Sequence, residues 1–139
     1  MAERHDLLAL VMPLARALRR IEDAAAAEHG LTMWQYAILA LIERHPGLNQ
    51  AEVAARLDYS KNRIVADLDR LEDAGMVIRT RGADRRANQL AVTEAGRAAR
   101  RSIQGDIHRG EDDLLRGVAA GNVRDLRAAL LEIARPRRS

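Results

Sequence analysis

The chain has 139 residues and a formal net charge of +3; hydrophobic side chains make up 47%, aromatic ones only 2%, and Phe is absent. That length carries one domain with helical extensions, and a core of Leu, Ala, Ile and Val suits packed helices better than a sandwich of sheets. The absence of Cys excludes disulfides, thiolate metal sites and thiol-based redox sensing within this polypeptide.

The first predicted helix covers residues 5–29. Leu7, Val11, Leu14, Leu18, Ile21 and Ala25 recur at spacings of 4, 3, 4, 3 and 4, the pattern of a helix–helix seam. Pro13 predicts a kink or a false start near Val11–Met12, and Gly30 is placed to end the helix. Thr32 followed by Gln35 is a capping-box pattern that starts a second helix near Met33; this helix stops before His45-Pro46-Gly47. Asn49 with Glu52 is a related cap for a third helix over 50–57, with Val53, Ala54 and Leu57 facing inward.

Asp58-Tyr59 makes a short turn, and Ser60 caps a fourth helix whose buried spine is Ile64, Leu68 and Leu71 and which Gly75 ends. Met76–Ile78 and Gln89–Val92 read as two strands, joined by an Arg-rich loop that fits an extended hairpin. Thr93 caps a long fifth helix carrying Ala95, Ala99, Ile103, Ile107, Leu114 and Val118, locally weakened by Gly105, Gly110 and Gly117. A sixth helix, about 122–134, repeats Val123, Leu126, Leu130 and Ile133; the tail from Arg135 to Ser139 is expected to fray. The fold class is therefore mainly α: a winged helix-turn-helix core with a two-stranded β-wing (31–93), flanked by N- and C-terminal dimerisation helices (5–29 and 94–135). Exposed apolar seams on both arms imply a homodimer.

The segment Asn49–Thr93 carries the chemistry. In a helix-turn-helix unit the second helix presents its N-terminal residues to base edges in the major groove of double-stranded DNA. Here these are Ser60, Lys61, Asn62 and Arg63. Basic side chains in a first turn oppose the helix macrodipole, at a cost of a few tenths to ~1 kcal/mol each, so an anionic partner explains them better than helix stability does. Asn suits the adenine edge and Arg or Lys the guanine edge. Gln50 and Arg70 are candidate backbone contacts. The acids Asp67, Asp69, Glu72 and Asp73 limit the footprint to the first half of the helix and offer partners within it to Arg63 and Arg70. Arg79, Arg81, Arg85 and Arg86 charge the hairpin for a minor groove, with Asp84 orienting one guanidinium. The competing reading is a solvated charged surface on a winged-helix protein-interaction module that does not read DNA, kept open by the acidic second half of the fourth helix.

The run Leu71-Glu72-Asp73-Ala74-Gly75-Met76-Val77, then Arg79, then Asp84-Arg85-Arg86, then Leu90 to Gly96 resembles the MarR family of bacterial winged helix-turn-helix regulators. The resemblance extends over the whole chain and implies a homodimer joined through the first, fifth and sixth helices. Its two recognition helices would read an imperfect palindrome, and the dimer would repress transcription until a small ligand loosens it. Arg86 matches the wing Arg of the minor groove and Asp84 the acid that positions it. Met76 replaces a common Leu. Val65 and Ala66 stand where many members have a polar residue and an Arg, which leaves base reading to Lys61, Asn62 and Arg63.

Catalytic equipment is scarce: there is no Gly-rich phosphate loop and no His-Glu-x-x-His, so no enzymatic activity and no cofactor are expected. His108 with Glu111 and Asp112 has helical spacing compatible with a metal, but a solvated helix face explains it better, and no metal is expected. A ligand crevice between arms and lobe, as the family has, could be lined by Met12, Arg16, Trp34 and Tyr36, with Arg16 pairing an acidic ligand; an organic acid or a phenol is the effector class. No run approaches the ~18 apolar residues of a membrane span, and no secretory signal pattern opens the chain. The expected location is the bacterial cytoplasm, at the nucleoid when bound.

Overall fold

The computed structural model describes residues 3–81 and 88–135. In chain order it contains α1 (Leu7–Ala27), α2 (Met33–Arg44), α3 (Gln50–Arg56), α4 (Lys61–Asp73), β1 (Val77–Arg81), β2 (Asn88–Val92), α5 (Glu94–Leu114) and α6 (Ala120–Ala134). The expected tip residues Asp84, Arg85 and Arg86, and the tail from Pro136, lie outside the described residues.

Local chemistry sets most boundaries. Both capping boxes form: Thr32 Oγ1 accepts from the Gln35 amide while the Gln35 side chain accepts from Thr32 N, and Asn49 and Glu52 reciprocate in the same way. These pairs satisfy N–H groups that a helix start otherwise leaves without partners. Ser60 and Thr93 cap α4 and α5 through the amides of Arg63 and Gly96. Gly30 and Gly75 follow α1 and α4 at φ of 70° and 73°, a left-handed geometry that a side chain disfavours.

Three sequence expectations change. α1 begins at Leu7 and continues through Pro13, so the false start does not occur; the missing amide costs one bond within a 21-residue helix. α5 runs unbroken through Gly105 and Gly110 but ends at Leu114, which leaves Val118 outside it. β1 extends three residues further than its apolar start suggested, because the hairpin pairs Val77 with Val92 through to Arg81 with Asn88.

The core joins all the lobe elements. Ile38, Leu39 and Ile42 of α2, Val53 of α3, Ile64, Leu68 and Leu71 of α4, Val77 and Leu90 of the strands and Ile103 of α5 are fully or almost fully buried. The wing root is tied to the segment before α3: Leu90 N donates to Leu48 O, and Asn49 bridges Gln89. It is also tied to α5, where Thr93 N donates to Met76 O and Thr93 Oγ1 to Gly75 O. α1 lies on α5, with Ile21 packed against Gly110.

The arms are different. No residue of α6 is buried, and Leu130, Leu131 and Ile133, with Leu7, Leu8 and Leu10 of α1, are exposed. Burying such side chains is worth about 1.5–3 kcal/mol each, so this apolar surface asks for a partner.

Candidate nucleic-acid interface

The helix-turn-helix begins with α3 and turns through Leu57–Ser60. Asp58 takes φ 49° there, one of the few residue types that tolerate this conformation. Hydrogen bonds from Asp58 N to Ala55 O and from Tyr59 N to Ala54 O close the turn. α4 then seats Ile64, Leu68 and Leu71 in the core.

With 3.6 residues per turn, that inward stripe fixes what faces out. Lys61, Asn62 and Arg63 are exposed, as are Val65 and Ala66. The first turn therefore offers two cations and an amide beside backbone N–H groups, and the next turn an apolar patch with Val65 40% exposed. Val65 and Ala66 are departures from the family pattern, and their exposure gives them a chemistry of their own: a small apolar surface of the kind that contacts a thymine methyl.

The acids of α4 do not behave as the sequence suggested. Asp69 and Glu72 do not pair with Arg63 or Arg70. They lie on the wing side, where Arg79 of β1 reaches both: Arg79 Nη2 donates to Asp69 Oδ1 at 3.1 Å, and Nε stands 3.3 Å from Glu72 Oε2 without hydrogen-bond alignment. Arg79 is thus spent at the wing root rather than adding to the charge of the tip. Asp67 accepts from Gln35 Nε2 at 3.0 Å and from Tyr59 Oη at 2.6 Å. Arg70 is exposed and turns to the α1–α2 junction, donating to Gly30 O at 3.4 Å. Of the negative charge that kept the interaction-module reading open, Asp67 is engaged within the lobe, Asp69 and Glu72 pair with Arg79 at the surface, and Asp73 lies exposed at the far end of the helix.

Gln50 occupies the first position of α3, partly exposed, next to the Asn49 cap. The four residues expected to line a ligand crevice are not brought together. Met12 and Arg16 are exposed on the first half of α1. Trp34 and Tyr36 are two residues apart, on opposite faces of a helix. Trp34 stacks on Tyr59, with ring centroids 4.9 Å apart and planes 14° from parallel. Tyr36 faces α5, where it lines a cavity of about 290 Å³ with Glu43, Arg44, Arg100 and Gln104. Arg100 is paired with Glu43 and donates to Gln104 Oε1 at 2.9 Å. Burial pushes the Tyr36 phenol up from its ordinary value; the Arg100 charge opposes this, and Glu22 and Glu111 add to it. Sequence reasoning missed Arg100 and Gln104, whose i, i+4 spacing on α5 was visible but had no partner until α2 was placed beside it. Among the described residues no group of three His, Asp or Glu side chains is placed to hold a metal ion.

The family model described as MarR family matches residues 29–87, from the end of α1 to the wing. The solved structure of the transcriptional repressor CouR bound to a 23-mer DNA duplex is 34% identical, with a TM-score of 0.78, over 91% of this chain and 90% of that one. The chain belongs to the MarR family. A second MarR-fold neighbour, CouR from Rhodococcus jostii RHA1 bound to p-coumaroyl-CoA, is 27% identical with a TM-score of 0.79, covering 96% of this chain and 95% of that one. A transcriptional regulatory protein for the hcr operon of Thauera aromatica is 31% identical over 98 residues, 70% of this chain; the match spans 59% of that protein's length. Among the described residues, the architecture of six helices with one two-stranded antiparallel sheet is that of MarR winged-helix proteins. No helix among the described residues is long and apolar enough to cross a membrane.

Proposed function

We propose that this MarR-family chain is a homodimeric, sequence-specific DNA-binding repressor whose grip is released by a small organic ligand, acting in the bacterial cytoplasm and not as an enzyme. The observation that carries the reading is the exposed first turn of α4. Lys61, Asn62 and Arg63 face solvent from a helix clamped on its other side by Ile64, Leu68 and Leu71, while Asp67 behind them is held by Gln35 and Tyr59, and Asp69 and Glu72 are paired with Arg79. That the relative CouR is known on a DNA duplex supports the same use here. The lobe 31–93 would read one half of an imperfect palindrome, and the arms 5–29 and 94–135 would pair through their exposed leucines. Ser60 to Arg63 would meet base edges, Gln50 and Arg70 phosphates, and Asp84, Arg85 and Arg86 the adjacent minor groove.

Replacing Arg86 by Ala is expected to weaken operator binding by about 1–3 kcal/mol, the scale of one good groove contact. Titrating a labelled operator duplex with the variant and the wild type checks this; equal affinities would remove the wing from the mechanism.

The cavity between α2 and α5 is the place for the effector. Arg44, Arg100 and the Tyr36 hydroxyl suit an aromatic carboxylate or phenol, which would compete with Glu43 for Arg100. A relative's complex with p-coumaroyl-CoA, whose acyl group carries a phenol, supports a phenolic ligand. Salicylate added to the protein–operator complex is expected to release the duplex, and Arg100→Ala to weaken the ligand by about 1.5–3 kcal/mol, the worth of a charge-assisted hydrogen bond. Release at the same salicylate concentration in both proteins would place the effector elsewhere.

A further inference from the structure

Asp67 is the one acid of α4 that takes both of its hydrogen bonds from other parts of the lobe. Its Oδ1 receives Gln35 Nε2 from α2, and its Oδ2 receives the Tyr59 hydroxyl from the turn that precedes α4. Each partner is itself held. Gln35 is 3% exposed, and its Oε1 is occupied by the α2 capping box, so its amide has one orientation. Tyr59 is stacked on Trp34. Burial, then the hydrogen bond and charge of Asp67, push the Tyr59 phenol up; the Arg63 charge lies close enough to oppose this.

Tyr59 is the residue before the Ser60 cap, and Asp67 sits two turns into the helix. The hydrogen bond between them spans eight residues and pins the start of α4 to its own middle. Gln35 and Trp34 pin the same unit to α2. Apolar packing alone fixes the depth of a helix but is weak on rotation and sliding, because it is non-directional. A carboxylate held by two directed donors fixes both. Arg63 lies one turn before Asp67, beside Tyr59, and inherits that placement.

We infer that Tyr59 and Asp67 are positioning residues for DNA reading: the Gln35–Asp67–Tyr59 chain, backed by Trp34, holds the first turn of α4 and Arg63 in the pose that matches base edges. The inference rests on the DNA-binding reading above. Phosphate contacts tolerate small shifts of a flexible side chain, whereas bidentate base contacts do not. The chain should therefore govern specificity more than general affinity.

Tyr59→Phe keeps the stack on Trp34 and removes only the hydroxyl. Asp67→Leu keeps roughly the shape and leaves both donors without an acceptor. The test uses the full-length protein, a duplex enriched by the wild type from randomised DNA, and a scrambled duplex of the same composition, with thermal melts to verify folding. Both variants are expected to lose at least about tenfold in affinity for the enriched duplex, with unchanged affinity for the scrambled one. In an Arg63→Ala background Tyr59→Phe is expected to add little, since both act on one contact. Trp34, the only Trp, reports the network through its fluorescence. Wild-type affinity of both variants for the enriched duplex would overturn the positioning role and leave the DNA-binding reading standing. So would equal losses on both duplexes, or losses that multiply independently of Arg63. Failure of the wild type to enrich any duplex would overturn the DNA-binding reading and this inference with it.

Discussion

Gly96→Ala is expected to destabilise the protein by about 1–3 kcal/mol, the usual scale of overpacking, even though Ala in a helix interior ordinarily gains up to ~1 kcal/mol over Gly. A methyl at this position would stand 2.3 Å from the Met76 carbonyl oxygen and 2.7 Å from Val92 Cγ1. The first of these is backbone, and it already accepts from Thr93 N. The clash cannot be relieved by a side-chain rotation. Either α5 lifts off the wing root or the Thr93–Met76 bond breaks, and the cap of α5 goes with it. Thermal or urea unfolding of the variant checks the sign. A stabilised Gly96→Ala protein would mean that the junction of α4, wing and α5 is looser than these distances imply.

The second large effect concerns the reading turn. Asn62→Ala with Arg63→Ala is expected to cost about 2–6 kcal/mol of operator affinity, two base contacts at about 1–3 kcal/mol each. Preference at the contacted base pairs should relax at the same time. Lys61→Ala should act differently if it meets a phosphate, lowering affinity on every duplex and reducing the salt slope by about 0.9 for each phosphate that is no longer neutralised. Competition binding against single-base operator variants separates the cases. Uniform weakening without relaxed preference would reassign Asn62 and Arg63 to the backbone and move base reading toward Val65 and Ala66.

The parts of this molecule that are legible from the sequence are those written in short-range chemistry. Thr32 with Gln35, Asn49 with Glu52, Ser60, Thr93 and the glycines at 30 and 75 mark helix ends because the hydrogen bonds they satisfy lie within four residues. Ile64, Leu68 and Leu71 are readable from period alone. The pairing of charges is not. Asp69 and Glu72 have helical neighbours of opposite sign, yet their partner is Arg79, which only the fold of β1 against α4 brings near. By sequence Asp67 is a repulsive surface acid, whereas Gln35, 32 residues away, makes it an internal anchor. The signal for this is its place beside the apolar stripe of Leu68 and Leu71. In the expected ligand crevice, Trp34 and Tyr36 point to opposite faces of α2, a separation that the helical period alone makes legible.

Selection of DNA by the protein tests sequence-specific binding most directly. Wild-type protein would be taken through rounds of enrichment on randomised duplex DNA, and its affinity for the winner compared with that for a scrambled duplex at one near-physiological salt concentration. An inverted-repeat consensus is expected, bound roughly 10³-fold or more tighter than the scrambled duplex. Equal affinity for both, or no retention of DNA even at low salt, would contradict sequence-specific binding.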